Sequence, residues 1–312
     1  MNTDPAPAIA VTPAVTPADA DADAVADRRV IVALDFDDRR AAGALVERLG
    51  DACGSYKIGL ELLTSAGPGL ARDLVERGHD VFLDLKLFEI PNSVAGAVRA
   101  AGALGASMVT VHAMGGTGIM SAAVEAAREF PRLRVLALTV VTSMTGSDLA
   151  DIGVDAGTEE QVLRLARLAV GAGCDGVVAS PREAGVLREL LGPDRLVVTP
   201  GVTLEPEGAA STEDVEEVEG VEGRRGGRGG RGGRGGRGGR GGRGGRGGRG
   251  GRGGRGGRGV LAGFGGTAGG HARPGTPRAA FAAGASHVVV GRSVSRAADP
   301  LAALRRVVRA AG

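Results

Sequence analysis

Cysteine is scarce in this chain of 312 residues, and its two copies, Cys53 and Cys174, stand far apart. This excludes a disulfide framework and matches neither the paired spacing of a zinc site nor that of a redox motif. We therefore expect both cysteines to be small buried residues, and we expect the protein to work in a reducing compartment, the cytoplasm.

Long apolar runs are also missing. No stretch reaches the roughly 18 apolar residues that a membrane-spanning helix needs. The N-terminus lacks the basic region followed by an apolar run that marks a secretory signal. The sequence therefore predicts neither a membrane protein nor a secreted one.

Large apolar side chains are nearly absent from two segments, residues 1–28 and residues 204–270. Neither segment can bury enough apolar surface to offset the entropy of ordering. We predict a disordered N-terminal extension over 1–28 and one domain over 29–312, which a disordered insertion interrupts at 204–270. The remaining residues, roughly 215 to 220, suffice for one well-buried core.

The insertion carries the basic character of the chain. Arginine recurs every third residue between glycine pairs over Arg225–Arg258, an acidic run precedes this tract, and no aromatic residue lies within it. Without the 13 arginines of Arg224–Arg258, 25 basic and 36 acidic side chains remain, a net charge of −11. An acidic body argues against a broad nucleic-acid-binding face. We favour a passive repeat expansion, with polyanion binding or gating of a phosphate loop by the tract as alternatives.

Short β-branched runs alternate with longer amphipathic segments along the rest of the chain. Eight such pairs predict a single (β/α)8 TIM barrel, an α/β fold, with the insertion after strand seven. An open doubly wound sheet is the alternative, but the first run is followed by no glycine-rich nucleotide fingerprint. The predicted strands are Arg29–Asp35, Ser55–Gly59, Val81–Lys86, Met108–His112, Val135–Val141, Gly176–Ser180, Leu196–Pro200 and His287–Gly291. The predicted helices are Arg40–Leu49, Gly69–Arg77, Val94–Leu104, Thr117–Glu129, Glu159–Ala172, Arg182–Leu191, Pro277–Ala283 and Leu301–Arg309.

Polar and glycine residues follow the apolar part of nearly every predicted strand. In such barrels the chemistry collects at the carboxyl ends of the strands, so these residues are the candidate site. They are Asp35, Lys57, Asp84, Lys86, His112, Thr142, Pro200, Gly201, Gly291 and Arg292.

Lysine is the rarest charged residue. Of 38 basic side chains only two are lysines, Lys57 and Lys86, and both fall at predicted strand ends. Arginine is a wide fork that essentially never loses its proton, whereas lysine is a compact charge that can transfer one. Positions that keep lysine in an arginine-rich chain indicate sites where a compact or transferable charge matters.

The stretch Asp84-Leu85-Lys86 places a carboxylate and an ammonium group on one side of a strand, because side chains alternate. Glu89 follows three residues later. Such a charge pattern can destabilise a bound carboxylate and stabilise the carbanion left after CO2 departs. A structural ion pair at the rim of the barrel is the alternative interpretation.

These residues belong to a wider set of motifs, in order over residues 29–203 and 271–310. The set resembles the orotidine 5′-phosphate decarboxylase family, whose signature is Asp-x-Lys-x-x-Asp. The motifs are Val32–Asp35, Lys57–Gly59, Phe82–Val94, Val111–Ala113, Leu138–Ser143, Thr199–Val202 and Val289–Arg292.

The resemblance implies decarboxylation of orotidine 5′-monophosphate to uridine 5′-monophosphate, the last step of de novo pyrimidine synthesis, without metal or organic cofactor. It implies that Lys86 protonates C6 of the pyrimidine, and that Asp84 lies against the substrate carboxylate in a charge network with Lys57. It also implies that Asp35 and Lys57 contact the ribose and that Thr142 contacts the base.

The same resemblance implies a phosphate site at the ends of strands seven and eight. Gly291 and Arg292 are expected to hold the phosphate through a backbone N–H and a guanidinium. Pro200 and Gly201 line the same region. His271 replaces a glutamine that contacts phosphate in the family, and it is either a substitute donor or an ordinary loop residue.

Glu89 stands where the family usually has an aspartate that reaches into the site of a partner subunit. The resemblance therefore implies a homodimer. One extra methylene moves the carboxylate by about 1 Å, and misplacements of that size can cost around 100-fold in rate. We still expect activity.

Two other functions remain open. A sugar-phosphate decarboxylase or aldolase of the same barrel group shares the signature but usually needs a metal. An RNA-binding protein on an inactive barrel would bind through Arg225–Arg258, with an affinity that falls steeply with salt. The presence of Lys57, Asp84 and Lys86 argues against an inactive barrel.

Overall fold

The computed structural model describes residues 27–204 and 273–311. Eight parallel strands close into a barrel in chain order, and the last strand pairs with the first. This confirms the predicted (β/α)8 barrel. The strands are β1 (Val30–Ala33), β2 (Ser55–Gly59), β3 (Asp80–Leu87), β4 (Met108–His112), β5 (Arg134–Leu138), β6 (Gly176–Val178), β7 (Leu196–Val202) and β8 (His287–Val290).

Helices follow each strand and cover the outside of the barrel. Those of the described ranges are α1 (Arg39–Leu49), α2 (Leu60–Ala66), α3 (Gly69–Glu76), α4 (Pro91–Ala103), α5 (Thr117–Ala127), α6 (Gly146–Asp151), α7 (Thr158–Gly171), α8 (Ala184–Leu191), α9 (Pro277–Ala282), α10 (Arg292–Ser295) and α11 (Pro300–Ala311). Three of them, α2, α6 and α10, were not predicted. In these two ranges no helix is long and apolar enough to cross a membrane.

The core has two apolar layers, because alternate residues of each strand face the inside of the barrel and the helices. A large cluster lies between the strands and the helices. The inner cluster is Ile31, Ala33, Phe82, Met108, Leu136, Leu138, Val178, Val198 and Val289. Cys53 and Cys174 are buried and unpaired, and burial raises the pKa of their thiols to about 11 and about 12.

Four predicted strands end earlier than expected, and two of them by a small margin: the first ends at Ala33 and not at Asp35, and the eighth at Val290 and not at Gly291. The prediction that the fifth strand reaches Val141 is wrong, because it ends at Leu138. The sixth ends at Val178, not at Ser180. The N–H of Thr139 bonds to the carbonyl of Val178, and the pairing of the fifth and sixth strands ends there. Thr142 therefore lies in a loop beyond β5.

The segments predicted as disordered, 1–28 and 204–270, lie outside the described residues except for three positions. Asp27 and Arg28 precede β1, and the Nη1 atom of Arg28 lies 2.7 Å from Oδ2 of Asp80. Leu204 packs against the apolar core. These three residues therefore contact the barrel, and the disorder predicted for the rest of the two segments stays a prediction.

The residues just before Leu204 and just after Arg273 lie side by side. The N–H of Thr203 bonds to the carbonyl of Gly275 at 3.0 Å, and the N–H of Gly275 bonds to that of Gly201 at 3.3 Å. A Cβ atom on Gly275 would lie 2.7 Å from Cβ of Pro181, so only glycine fits here. We call this pair of hydrogen bonds the Gly275 junction.

Candidate active site

Two lysines and a carboxylate meet inside the carboxyl end of the barrel. Oδ2 of Asp84 lies 2.7 Å from Nζ of Lys86 and 3.9 Å from Nζ of Lys57. The side chains of Asp84 and Lys57 are only 12% and 11% exposed, whereas that of Lys86 is 37% exposed. One carboxylate thus contacts two ammonium groups where water is largely excluded, and one of these groups remains open to a ligand.

Asp84 and Lys86 are in contact, as the sequence predicts, but the strand between them is irregular. The pairing of β3 with β4 shifts, so that Leu83 lies opposite Val109 but Leu87 lies opposite Val111. Three residues of β3 therefore face one residue of β4, which is a bulge. Within it Lys86 has a φ of 48°, a left-handed conformation that is costly for a residue with a Cβ.

Thr110 is the residue of β4 that faces this bulge. Its Oγ1 accepts a hydrogen bond from the backbone N–H of Lys86 at 2.8 Å and donates one to Oδ1 of Asp84 at 3.0 Å. Thr110 is fully buried. It holds the backbone of the lysine and the carboxylate in one arrangement.

Asp35 extends the charged group toward β1 and β8. Its Oδ1 lies 3.1 Å from Nζ of Lys57. A Cβ atom built on Gly291, the residue after β8, would lie 3.6 Å from Oδ2 of Asp35. The carboxylate of Asp35 is 55% exposed, so Asp35 and Lys57 form a polar edge that a ligand can reach.

The remaining predicted ligand-binding residues lie at the same end of the barrel. Pro200 pairs with Val289 of β8, and Gly201, with a φ of 83°, is in the left-handed region that favours glycine. Arg292 is exposed and begins α10. Thr142, in contrast, is 7% exposed in the loop after β5. His271 lies outside the described residues.

Glu89 does not join this cluster. It is exposed and makes no ion pair with Lys57 or Lys86 among the described residues. Its carboxylate accepts hydrogen bonds from the backbone N–H of Ile90 and the hydroxyl of Ser93, which lower its pKa. These hydrogen bonds favour the ionised form of the carboxylate and hold it at the start of α4.

His112 ends β4 beside the cluster. Its Nδ1 accepts a hydrogen bond from the N–H of Met114 at 3.3 Å, and its ring lies 5.6 Å from that of Phe88. Burial, and then the positive charge of Lys86, lower its pKa. The ring is thus held neutral, as suits a supporting role.

A second buried group joins the residues that follow β6 to those that precede α9. The guanidinium of Arg273 bonds to the carboxylate of Glu183, which also accepts from the hydroxyl of Ser180. The side chains of Arg273 and Glu183 are 11% and 5% exposed. This ion pair joins the chain that leads into α9 to the end of β6.

Sequence reasoning missed Thr110, Glu183 and Arg273. A threonine inside an apolar strand was a visible signal for Thr110. The other two stand 90 positions apart, and no local pattern links them. Over residues 27–204 and 273–311 there is no cluster of three His, Cys, Asp or Glu side chains that could hold a metal ion.

Comparison with known proteins gives a consistent result. A protein of Alkalilimnicola ehrlichii named orotidine 5′-phosphate decarboxylase is 40% identical over 282 residues, which are 90% of this chain and 95% of that protein. One of the same name from Chromobacterium violaceum is 38% identical over 279 residues, 89% of each chain.

The fold comparison agrees. The crystal structure of orotidine 5′-phosphate decarboxylase from Lactobacillus acidophilus aligns with a TM-score of 0.65 at 28% identity, covering 92% of this chain and all of the other. Residues 28–228 match the sequence model of the orotidine 5′-phosphate decarboxylase / HUMPS family. On these grounds, this chain belongs to the orotidine 5′-phosphate decarboxylase / HUMPS family.

Proposed function

We propose that this protein decarboxylates orotidine 5′-monophosphate to uridine 5′-monophosphate and CO2, a step of pyrimidine biosynthesis. The observation that carries the proposal is the contact of Asp84 with both lysines of the chain, 2.7 Å from Lys86 and 3.9 Å from Lys57. Relatives that carry the name of this enzyme match nearly the full chain.

In the proposed mechanism Asp84 destabilises the bound substrate. The substrate carboxylate lies against the carboxylate of Asp84, which is buried and fixed on both oxygens by Thr110 and Lys86. Two like charges about 4 Å apart repel by roughly 4 kcal/mol at an effective dielectric constant near 20. Loss of CO2 relieves this repulsion, so the interaction favours the transition state over the bound substrate.

Lys86 completes the reaction. The bond between C6 and the carboxyl carbon breaks, CO2 leaves, and the electron pair remains on C6. The ammonium group of Lys86 stabilises this developing charge and transfers one proton to C6. Solvent then returns a proton to Lys86, whose side chain is 37% exposed. Arginine could supply the charge at this position but could not supply the proton.

The other residues are proposed to hold the substrate. Asp35 and Lys57 form the polar edge that suits ribose hydroxyls, and we expect Thr142, in the loop after β5, to bond the base. The ends of β7 and β8, with Gly201, Gly291 and Arg292, would bind the phosphate.

The proposed active form is a homodimer in which Glu89 serves the site of the partner subunit. Glu89 lies outside its own lysine cluster and between two exposed apolar side chains, Phe88 and Ile90, which are 62% and 61% exposed. Exposed apolar neighbours of this size favour an interface. Burial of Phe88 and Ile90 against a second copy would bring the carboxylate of Glu89 to the other site.

The proposal is tested by following the absorbance of orotidine 5′-monophosphate with purified protein after EDTA treatment, alongside Lys86→Ala and Lys86→Arg. We expect the wild type to consume the substrate without metal. Both variants should lose at least about 100-fold in kcat, because neither can transfer the proton.

Lys86→Arg is the matched control, since it keeps the positive charge and loses only the transferable proton. Activity in this variant close to that of the wild type would overturn the role of Lys86. A wild type that leaves the nucleotide unchanged but acts on sugar phosphates with added Mg²⁺ would overturn the proposed substrate.

A further inference from the structure

The bulge in β3 gives one side chain of β4 an unusual set of partners. In a regular parallel ladder a backbone N–H bonds to a carbonyl of the neighbouring strand. Here the N–H of Lys86 bonds instead to Oγ1 of Thr110 at 2.8 Å, and the same oxygen lies 3.0 Å from Oδ1 of Asp84. Two residues of β3, Asp84 and Lys86, are thus fixed to β4 through one hydroxyl group.

The chemistry of a hydroxyl group determines the direction of both bonds. A threonine hydroxyl has one proton to donate and two lone pairs to accept with. Since a backbone N–H can only donate and an ionised carboxylate can only accept, the proton of Thr110 is directed to Asp84. With Thr110 fully buried, water cannot take over either bond.

We propose that Thr110 is a positioning residue for the decarboxylation, an inference that rests on the proposed function. In this role it acts through Asp84 and Lys86 and not on the substrate itself. It holds the Asp84 carboxylate in place and stabilises the left-handed backbone of Lys86, whose φ is 48°. Thr110 therefore sets the distance between the group that repels the substrate carboxylate and the group that donates the proton.

Two substitutions separate this role from simple packing. Thr110→Val keeps the shape and removes the hydroxyl group, whereas Thr110→Ser keeps the hydroxyl group and removes a methyl. We expect Thr110→Val to lower kcat about 10- to 100-fold, since displacements near 1 Å cost up to that much. Thr110→Ser should restore kcat to within about threefold of the wild type. A packing role predicts the reverse order, because the serine would leave a cavity.

The split between kcat and KM adds a second readout. The proposed contacts to ribose and phosphate come from β1, β2, β7 and β8, so KM should stay within about threefold in Thr110→Val. Thr139→Val is the matched control. Thr139, the residue after β5, is equally buried. Among the described residues its hydroxyl donates to the carbonyl of Val178 and to neither Asp84 nor Lys86, so loss of the hydroxyl should affect stability more than kcat.

Amide hydrogen exchange tests the bridge apart from catalysis. The N–H of Lys86 should be protected in the wild type and in Thr110→Ser, and it should exchange at least about tenfold faster in Thr110→Val. If the wild type fails to consume orotidine 5′-monophosphate, the proposed function is wrong and the exchange rates still decide whether the bridge exists. Full activity in Thr110→Val, or equal exchange in all three proteins, would overturn the inference.

Discussion

His112 shows how a single ring can link stability to pH. It is held neutral by burial and by Lys86, and its Nδ1 accepts a hydrogen bond from the N–H of Met114. A proton on Nδ1 would remove that acceptor and place a second positive charge beside Lys86. Acid therefore favours any state in which this ring is released to water.

This argument predicts a loss of stability in mild acid. The pKa of His112 is lower in the folded state than in the unfolded state, where it is about 6.5. The stabilisation of the folded state by the neutral His112 ring is therefore complete above about pH 6.5. It is lost as the pH falls through the pKa that His112 has in the folded state. We expect the free energy of unfolding to fall between about pH 7.5 and 5, and to fall less in His112→Asn, which keeps an acceptor and carries no charge.

Urea unfolding of both proteins at the two pH values provides the measurement. His79 and His287 also have a pKa lowered by burial, so part of the fall should remain in the variant. An equal fall in wild type and His112→Asn would contradict the assignment.

For individual residues, the sequence indicated most of the candidate site but not the backbone conformations. The scarcity of lysine pointed to Lys57 and Lys86, and the structure brings both to Asp84. The left-handed φ of Lys86 could not be predicted, because it arises from the register shift between two strands and not from the residues themselves. The bridge through Thr110 depends on the same shift.

Among the elements, the described residues just before α9 carry a buried ion pair. Arg273 precedes α9 and forms a buried ion pair with Glu183, which follows β6. The Nε and Nη2 atoms of Arg273 have no hydrogen-bond partner among the described residues. Glu183 therefore carries most of the compensation for burying this guanidinium.

Glu183→Gln should consequently destabilise the barrel by about 3 kcal/mol, the cost of leaving a buried charge without its partner. The matched control is Glu160→Gln, which breaks the exposed pair with Arg164, whose side chain is 52% exposed. That change should cost less than about 1 kcal/mol. Chemical unfolding of the wild type and the two variants measures both losses in the free energy of unfolding. Similar losses in the two variants would show that the buried pair stabilises the barrel no more than the exposed pair does.

Strand positions were predictable because every strand is an apolar run between polar ends. The residues at which strands and helices begin and end were less predictable. The fourth helix begins at Pro91 and not at Val94, since proline is well suited to the first turn. The early end of β5 follows from the shortness of β6, which is a property of the pair and not of either segment.

For the whole molecule, the proposed homodimer predicts complementation between two defective chains. If Glu89 serves the partner's site, a dimer of one Lys86→Ala chain and one Glu89→Ala chain contains one intact site and one site that lacks both groups. Random pairing in a co-expressed mixture should then give roughly a quarter of the wild-type activity. Steady-state assays of the mixture and of each variant alone measure this.

The outcome separates two arrangements. If Glu89 acted in the site of its own chain, every site in the mixture would lack one group, and no recovery would occur. A protein that is active as a monomer in analytical ultracentrifugation at assay concentration would also contradict the dimer.

The Gly275 junction has a consequence for how the polypeptide is joined. Because Gly275 bonds directly to Gly201 and Thr203, hydrogen bonds join the ranges 27–204 and 273–311 close to Leu204 and Arg273. Lengthening a connection costs only about 0.6 kcal/mol for each doubling of its length. The connection between strand seven and the helix that follows is therefore a natural place to open the covalent chain. The barrel can be regarded as two complementary pieces, 27–204 and 273–311, which meet where β8 pairs with β7 and with β1.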